Sequence, residues 1–153
     1  MIRTKIRMRF CTALLVCCLA FIWGNSLLPG SVSGAISDGV KEILESLFPG
    51  GETSPSESSF LLRKMAHFTE FGLLGMCLGW LFGMLRKKKT WPIALGVAAA
   101  CVDETIQRFV PGRVSSLKDV AIDSCGMLTG MLLLYCGHIY CKRRRTKHFS
   151  EDM

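Results

Sequence analysis

The sequence predicts an all-α integral membrane protein: a bundle of four transmembrane helices with both termini in the cytoplasm. Half of its 153 residues are hydrophobic, and the mean hydropathy of +0.34 is high for a soluble chain of this length. Four apolar runs of about 20 residues follow one another, and each is long enough to cross roughly 30 Å of hydrocarbon as a helix. The cations lie mainly between or beside these runs.

The four predicted spans are expected to be helical, because a helix satisfies its own backbone hydrogen bonds in lipid. The first run contains no charged residue, whereas each of the other three carries charge near one end. In chain order, spans one to four cover residues 10–28, about 64–85, 91–109 and about 118–140.

The distribution of cations predicts the orientation of the bundle. Thirteen of the 19 lysines and arginines precede span one, connect spans two and three, or follow span four. Positively charged flanks stay in the cytoplasm, so the loop 86–90 is expected inside with both termini, and the loops 29–62 and 110–117 outside. The chain is therefore divided into a basic cytoplasmic N-terminal segment, a transmembrane domain and a basic cytoplasmic tail, at residues 1–9, 10–140 and 141–153.

Two features of the composition that often indicate other functions are explained by this arrangement. The net charge of +7 does not indicate a nucleic-acid partner, because the cations flank the spans, where contact with anionic lipid is a secondary role. The eight cysteines include no Cys-x-x-Cys pair, so we interpret them as small buried apolar residues rather than as disulfides or metal ligands.

The first outer loop contains a helical pattern. Between Ile36 and Phe48, apolar residues recur at helical spacing and the charged residues fall on the other face. This pattern predicts a short amphipathic helix on the outer surface of the membrane, the alternative being an ordinary solvated connector. The following segment, residues 49–59, is rich in turn-forming residues and is expected to be a loop.

Small residues recur every four positions in three of the spans. This spacing lets helix backbones approach closely in lipid, so the faces that carry it are expected to be the packed faces of the bundle. The residues are Gly75, Gly79 and Gly83 in span two, Gly96 and Ala100 in span three, and Gly126 and Gly130 in span four.

Polar and charged residues are concentrated at the outer ends of the same three spans. Spans two and four run inward and span three runs outward, so the beginnings of two and four lie at the same depth as the end of three. Random placement would rarely bring three separate segments together in this way. The residues are Lys64, His67 and Glu70 in span two, Asp103, Glu104 and Gln107 in span three, and Asp119 and Asp123 in span four.

These polar side chains are expected to point into the bundle. At 100° per residue, His67 shares a stripe with Gly75, and Asp103 shares one with Gly96. A carboxylate at the bilayer centre costs about 3 kcal/mol on insertion scales, so intramembrane residues of this kind are candidates for function.

The connection between spans three and four adds a cation to this outer end. Arg113 leaves the tight turn Pro111-Gly112, and Ser115 or Ser116 can cap span four, whose N-terminus faces outward. A helix N-terminus beside Arg113 and Lys118 is suited to an anion or a phosphate group.

Three roles remain open for this polar cluster: a structural salt-bridge network, a pocket for a polar headgroup, and a catalytic or metal site. The candidates for acid–base catalysis are His67, Glu70, Asp103 and Glu104. One histidine with several carboxylates could also hold a divalent metal, but no motif such as His-Glu-x-x-His assigns ligands, and the sequence leaves the cofactor open.

The residues of the cluster also carry a resemblance to a known family. The runs Lys64–Leu74, Val102–Arg113 and Asp119–Gly126 resemble the VanZ-like family, with Asp-Glu-x-x-Gln-x-Phe-x-Pro-Gly-Arg as the most specific segment. The resemblance covers roughly residues 10–140. It implies a small multi-pass protein of the bacterial cytoplasmic membrane; the namesake is associated with teicoplanin resistance without enzymes that remodel the peptidoglycan stem peptide.

The resemblance also indicates which residues form a ligand-binding site. Phe71 departs from the tyrosine that members often carry, and Asp123 stands where asparagine is also common. The binding residues implied by the resemblance and by the inward-facing pattern together are Lys64, His67, Glu70, Asp103, Glu104, Gln107, Arg113, Asp119 and Asp123.

Two classes of function follow. The first is a non-enzymatic envelope protein that binds an anionic lipid, a lipid-linked cell-wall precursor or a lipoglycopeptide at the outer leaflet, with Arg113 and Lys64 holding the anion. The second is a membrane enzyme acting on a lipid-linked phosphate or ester, with Glu104 or His67 as the general base. The partners expected are membrane lipids or envelope precursors, and the bundle could also form an oligomer.

Overall fold

The computed structural model describes residues 2–47, 55–85, 88 and 90–151, and every regular element in these ranges is an α-helix. The prediction of an all-α protein is therefore confirmed for the described part of the chain. The helices are α1 (Ile2–Ser26), α2 (Gly30–Leu47), α3 (Pro55–Met84), α4 (Thr90–Arg108) and α5 (Leu117–Glu151).

Three of these helices are long and apolar enough to cross a membrane. Their candidate spans, judged by length and composition, are Ile2–Ser26, Leu61–Met84 and Leu117–Arg144. The predicted third span forms α4, a helix of 19 residues, but its two acids and Gln107 lower its hydropathy below that of the others. The basic segments predicted at the two ends continue α1 and α5 as helix where they are described.

The helix predicted in the first outer loop is present and begins six residues earlier, at Gly30 rather than Ile36. It packs against α3, with Ser33 buried; a Cβ added at Gly34 would lie 3.7 Å from Nη2 of Arg63. Ile36, Val40 and Ile43, by contrast, are 45–61% exposed. The face of α2 that carries small residues therefore contacts the protein, and its apolar face points away from the protein. A helix that lies in the membrane interface would need this arrangement.

The prediction of a loop at residues 49–59 is wrong for the second half of that range. Residues 55–59 form the first turns of α3, while residues 49–54 lie outside the described residues. Pro55 is the first residue of the helix, a position where proline is favoured because its missing N–H would be unsatisfied there anyway. The turn-forming composition of this segment therefore marks a helix start.

The central packing of the bundle joins α3 to α5 along a seam of glycines. A Cβ atom added at Gly126 would overlap the carbonyl group of Phe68, and one at Gly130 would overlap that of Gly72. Such close backbone approach is what small residues permit between helices in lipid. The prediction is confirmed for Gly126 and Gly130 but is wrong for Gly83, where an added Cβ would meet nothing within 4 Å.

The end of the bundle predicted to face outward is closed by a contact between two connections. Gly112 has a φ of +74°, a conformation that glycine adopts without strain, and forms the turn between α4 and α5. The N–H of Gly30 donates to the Pro111 carbonyl at 3.0 Å, and a Cβ at Gly30 would overlap the Gly112 carbonyl. The start of α2 therefore rests directly on this turn.

Candidate functional site

The polar residues predicted at the outer end of the bundle converge on one cavity. It has a volume of about 220 Å³ and lies among the outer parts of α3, α4 and α5 and the turn between α4 and α5. Seven of the nine predicted ligand-binding residues line it: Lys64, His67, Glu104, Gln107, Arg113, Asp119 and Asp123. The other two, Glu70 and Asp103, lie directly behind it, each with a carboxylate oxygen 3.9 Å from Nδ1 of His67.

The inward face of α4 supplies the most deeply buried part of the site. Asp103, Glu104 and Gln107 are 0%, 4% and 6% exposed, and they share this buried face with Gly96 and Ala100, as the helical spacing predicted. Polar groups at such burial need hydrogen-bond partners. Their partners outside α4 come from the end of α1 and from the segment that precedes α5.

Gln107 connects α4 to the end of α1. Its Nε2 donates to Oδ2 of Asp103 at 2.7 Å and to Oγ of Ser26 at 3.3 Å. Ser26 is fully buried, and its neighbour Asn25 donates from Nδ2 to Oε1 of Glu70 at 3.0 Å. The C-terminal residues of α1 therefore position carboxyl groups on both α3 and α4.

Glu104 holds the beginning of α5. Its Oε2 accepts the backbone N–H of Ser116 at 2.8 Å, and the Ser116 hydroxyl accepts the N–H of Lys118 at 3.2 Å. Ser116 is thus the N-cap predicted from the sequence, while the carboxylate of Glu104 lies where the helix dipole favours negative charge. Because these N–H groups already have partners, the α5 N-terminus contributes less to an anion site than the sequence suggested.

Arg113 joins the cavity to the end of α1. Its Nη2 donates to the Asn25 carbonyl at 2.9 Å and its Nε to the Leu28 carbonyl at 3.3 Å, two acceptors at and just beyond the C-terminus of α1. Burial lowers the pKa of Arg113, and the nearby Arg63 guanidinium lowers that pKa further. Since an arginine pKa starts above about 12, the side chain stays charged at neutral pH.

Two further cations reach the cavity from the start of the apolar part of α3. Lys64 forms an ion pair with Asp119, which links α3 to the first turn of α5. Arg63 also lines the cavity, and its Nε is buried without a hydrogen-bond partner among the described residues. The cavity is therefore bordered by two guanidinium groups, those of Arg63 and Arg113.

The deepest part of the site is a cluster of one imidazole and several carboxyl groups. His67 is 8% exposed and Asp123 is 2% exposed. His67, Asp103 and Asp123 each place one potential metal-ligand atom within 4.8 Å of the other two. This arrangement can share protons or bind a cation.

Three contributors to the site were missed from the sequence. Arg63 lies one helical turn before His67 on the same face of α3, so its i, i+4 spacing was a usable signal. Asn25 and Ser26 form a polar pair at the outer end of an otherwise apolar span, and that pair indicated a polar contact at this depth. The binding role of all the predicted residues stays a prediction, although the structure brings them together.

Comparison with known families matches a range of the chain that includes this site. A model of the VanZ/LLP1 family matches residues 11–139, a range that contains the cavity and all nine predicted binding residues. The comparisons with curated proteins and with solved structures gave no match. Because the family match covers far more than half of the chain, it confirms the resemblance seen in the sequence: this protein belongs to the VanZ/LLP1 family.

Proposed function

We propose that the protein is a four-span component of the bacterial cell envelope that binds a phosphate-bearing lipid headgroup at the outer leaflet. The observation that carries this proposal is the pair of guanidinium groups, Arg63 and Arg113, on the wall of one cavity. Two like charges on the wall of one partly buried cavity disfavour each other, and an anion bound beside them offsets that cost. Guanidinium groups also match phosphate geometry, because their planar donors can form paired hydrogen bonds with its oxygens.

The depth of the cavity supports a headgroup ligand. The apolar part of α3 begins at Leu61, next to Arg63 and Lys64, so the cavity lies where the hydrocarbon region starts. When α4 is counted as a span beside the three candidates and the basic segments lie in the cytoplasm of the bacterial cell, this end of the bundle faces outward. The exposed apolar stripe of α2 would lie in the same interface.

The size of the cavity distinguishes among the ligands expected from the sequence. Pockets for drug-sized molecules measure about 300–1,000 Å³, so about 220 Å³ suits a phosphate group with its nearest atoms. A whole lipoglycopeptide is far larger. We therefore favour an anionic phospholipid or a lipid-linked cell-wall precursor, and any contribution to teicoplanin resistance would act through that lipid.

Two of the carboxylates that line the cavity already have partners. Asp119 pairs with Lys64, and Glu104 accepts the N–H of Ser116. The alternative in which Glu104 is the general base of an enzyme has less support, because one of its oxygens already caps α5. His67, which lines the cavity, is the better candidate for acid–base chemistry on a bound ligand.

Lipid binding by the purified protein tests this proposal. The protein in detergent is titrated with phosphatidylglycerol, with undecaprenyl phosphate and with zwitterionic phosphatidylcholine, and binding is followed by native mass spectrometry. We expect both anionic lipids to bind more tightly than phosphatidylcholine, and Arg63→Gln to weaken them about 10- to 100-fold, as expected for a charge-assisted hydrogen bond.

Arg108→Gln is the matched control. Arg108 is exposed at the C-terminal end of α4, at the same end of the bundle as Arg63, and it does not line the cavity. Equal loss in the two variants would mean that general surface charge, not the cavity, attracts the lipid, and would overturn the proposal.

In a glycopeptide-sensitive Gram-positive host, we expect the intact chain and Arg108→Gln, but not Arg63→Gln, to raise the inhibitory concentration of teicoplanin at matched membrane levels.

A further inference from the structure

In the deepest part of the site, we propose a binding site for a divalent transition-metal cation, formed by His67, Asp103 and Asp123. The donor set is one imidazole nitrogen and two carboxylate oxygens, contributed by α3, α4 and α5. Three protein ligands of these types, with further positions left open, are common where Zn²⁺ or a similar cation binds both protein and an external group.

The geometry of the three donors is close to that of a bound metal. Their ligand atoms lie within 4.8 Å of one another. In a tetrahedral site with bonds of about 2.1 Å, the donors would be roughly 3.4 Å apart. Each atom would have to move inward by less than about 1 Å, which small side-chain rotations provide.

Two buried atoms of this cluster lack the hydrogen bonds that such burial normally demands. Nδ1 of His67 and Oδ1 of Asp103 have no hydrogen-bond partner among the described residues; the Asp103 side chain is fully buried and that of His67 is 11% exposed. Nδ1 of His67 lies 3.9 Å from Oδ2 of Asp103, too far for a hydrogen bond but suitable for a shared cation. Buried polar atoms are nearly always paired, so these exceptions require a partner.

The surroundings support the ligands in the way that metal sites usually require. Gln107 donates to Oδ2 of Asp103 and is itself anchored near Ser26, so the carboxylate is oriented while Oδ1 remains available. Oε2 of Glu70 is likewise buried without a hydrogen bond among the described residues and lies 3.9 Å from Nδ1 of His67. A cation here would offset the cost of burying these carboxyl groups together.

The nearby cationic side chains offset the buried carboxyl groups less well than a bound metal ion would. Lys64 is paired with Asp119, and Arg113 donates from Nε and Nη2 to carbonyl groups at the end of α1. His67 and Asp123 also line the anion cavity, so an open coordination position of the metal would face that cavity. Metal binding nevertheless does not depend on the lipid proposal, since its ligands are different residues from Arg63 and Arg113.

Zinc binding by the purified protein tests the site without reference to activity or lipid. The eight cysteines are free thiols, so accessible thiols are first blocked with N-ethylmaleimide in every sample. The protein in detergent is then stripped with a chelator and titrated with Zn²⁺ alone. We expect about one bound ion per chain, with His67→Gln and Asp123→Asn weakening binding at least 100-fold and Gln107→Leu about 10-fold, as for loss of a supporting contact.

The matched control is His138→Gln, because His138 is exposed near the inner end of α5, far along the helix from Asp123, and should leave zinc binding unchanged. If His67→Gln does not fold, two other measurements test the site: the zinc affinity of Gln107→Leu, and the rise in melting temperature that zinc causes in the thiol-blocked protein without substitutions. Absence of a bound ion in the thiol-blocked protein, or equal affinity in His67→Gln and His138→Gln, would overturn the proposal. Neither result would affect the lipid titration, so the two proposals can fail separately.

Discussion

Replacing glycines of the α3–α5 seam with alanine should destabilise the protein in proportion to what each new methyl group meets. At Gly126 and Gly130 the new Cβ would overlap backbone carbonyl groups of α3, so the two helices would have to move apart. At Gly96 the nearest atoms belong to the flexible side chain of Met127, 2.8–2.9 Å away, which can turn aside. At Gly83 an added Cβ meets nothing within 4 Å.

The magnitude follows from two opposing effects. Overpacking costs about 1–3 kcal/mol, whereas alanine in place of glycine favours a helix by about 1 kcal/mol. The second effect is available at every helical position, so Gly83→Ala measures it alone. The difference between Gly130→Ala and Gly83→Ala is therefore the overpacking cost, and at about 2–4 °C per kcal/mol it corresponds to roughly 2–12 °C in melting temperature.

The assay is thermal unfolding of the purified variants in one detergent, followed by circular dichroism. We expect the melting temperatures to rise in the order Gly130→Ala, Gly96→Ala, Gly83→Ala, with the last at or slightly above the unmodified protein. Because α3 and α5 carry His67 and Asp123, Gly130→Ala should also weaken zinc binding. Equal melting temperatures for Gly130→Ala and Gly83→Ala would refute the close backbone contact on which this reasoning depends.

Three other predictions address the caps and the orientation of the bundle. Glu104→Ala should cost about 1 kcal/mol in thermal unfolding, because the N–H of Ser116 loses its acceptor, while Glu104→Gln, which keeps an oxygen, should cost less; equal losses would assign the effect to charge. Arg113→Gln should cost about 2 kcal/mol or more through its two carbonyl contacts, whereas Arg108→Gln should be neutral, and comparable losses would argue against this anchor. Reporter fusions should place both termini in the cytoplasm and the 29–62 loop outside; an external C-terminus would contradict four spans.

Much of the architecture could be predicted because lipid imposes simple requirements on sequence. Apolar runs of span length, glycines at four-residue spacing and charges beyond the ends are each readable without a structure. The inward face of α4 was predicted from helical spacing alone, since a position on a regular helix fixes its direction relative to its neighbours. The convergence of Lys64, His67, Asp103 and Asp119 at one end followed from the order of the spans.

Other features depended on contacts between distant segments. Val32 lies four residues before Ile36 and extends the apolar stripe of α2 toward its start, so part of the earlier start was readable from the sequence. The start at Gly30 itself rests on the turn at Gly112, which only the folded chain brings there. Ser26 became part of the site through Gln107, 81 residues away along the chain.

The sequence by itself determined the fold class, the family and the set of polar residues gathered at the outer end of the bundle, because helix length, periodicity and charge placement are local properties. The tertiary structure decided how those residues are divided between tasks. Glu104 and Arg113 support helix ends, and Arg63 joins the wall of the cavity. His67 and Asp103 each keep a buried atom that has no hydrogen-bond partner within the described part of the chain. That division rests on distances of a few ångströms between separate helices, since a hydrogen bond exists or fails within less than 1 Å, and helical spacing alone does not specify how closely two helices approach.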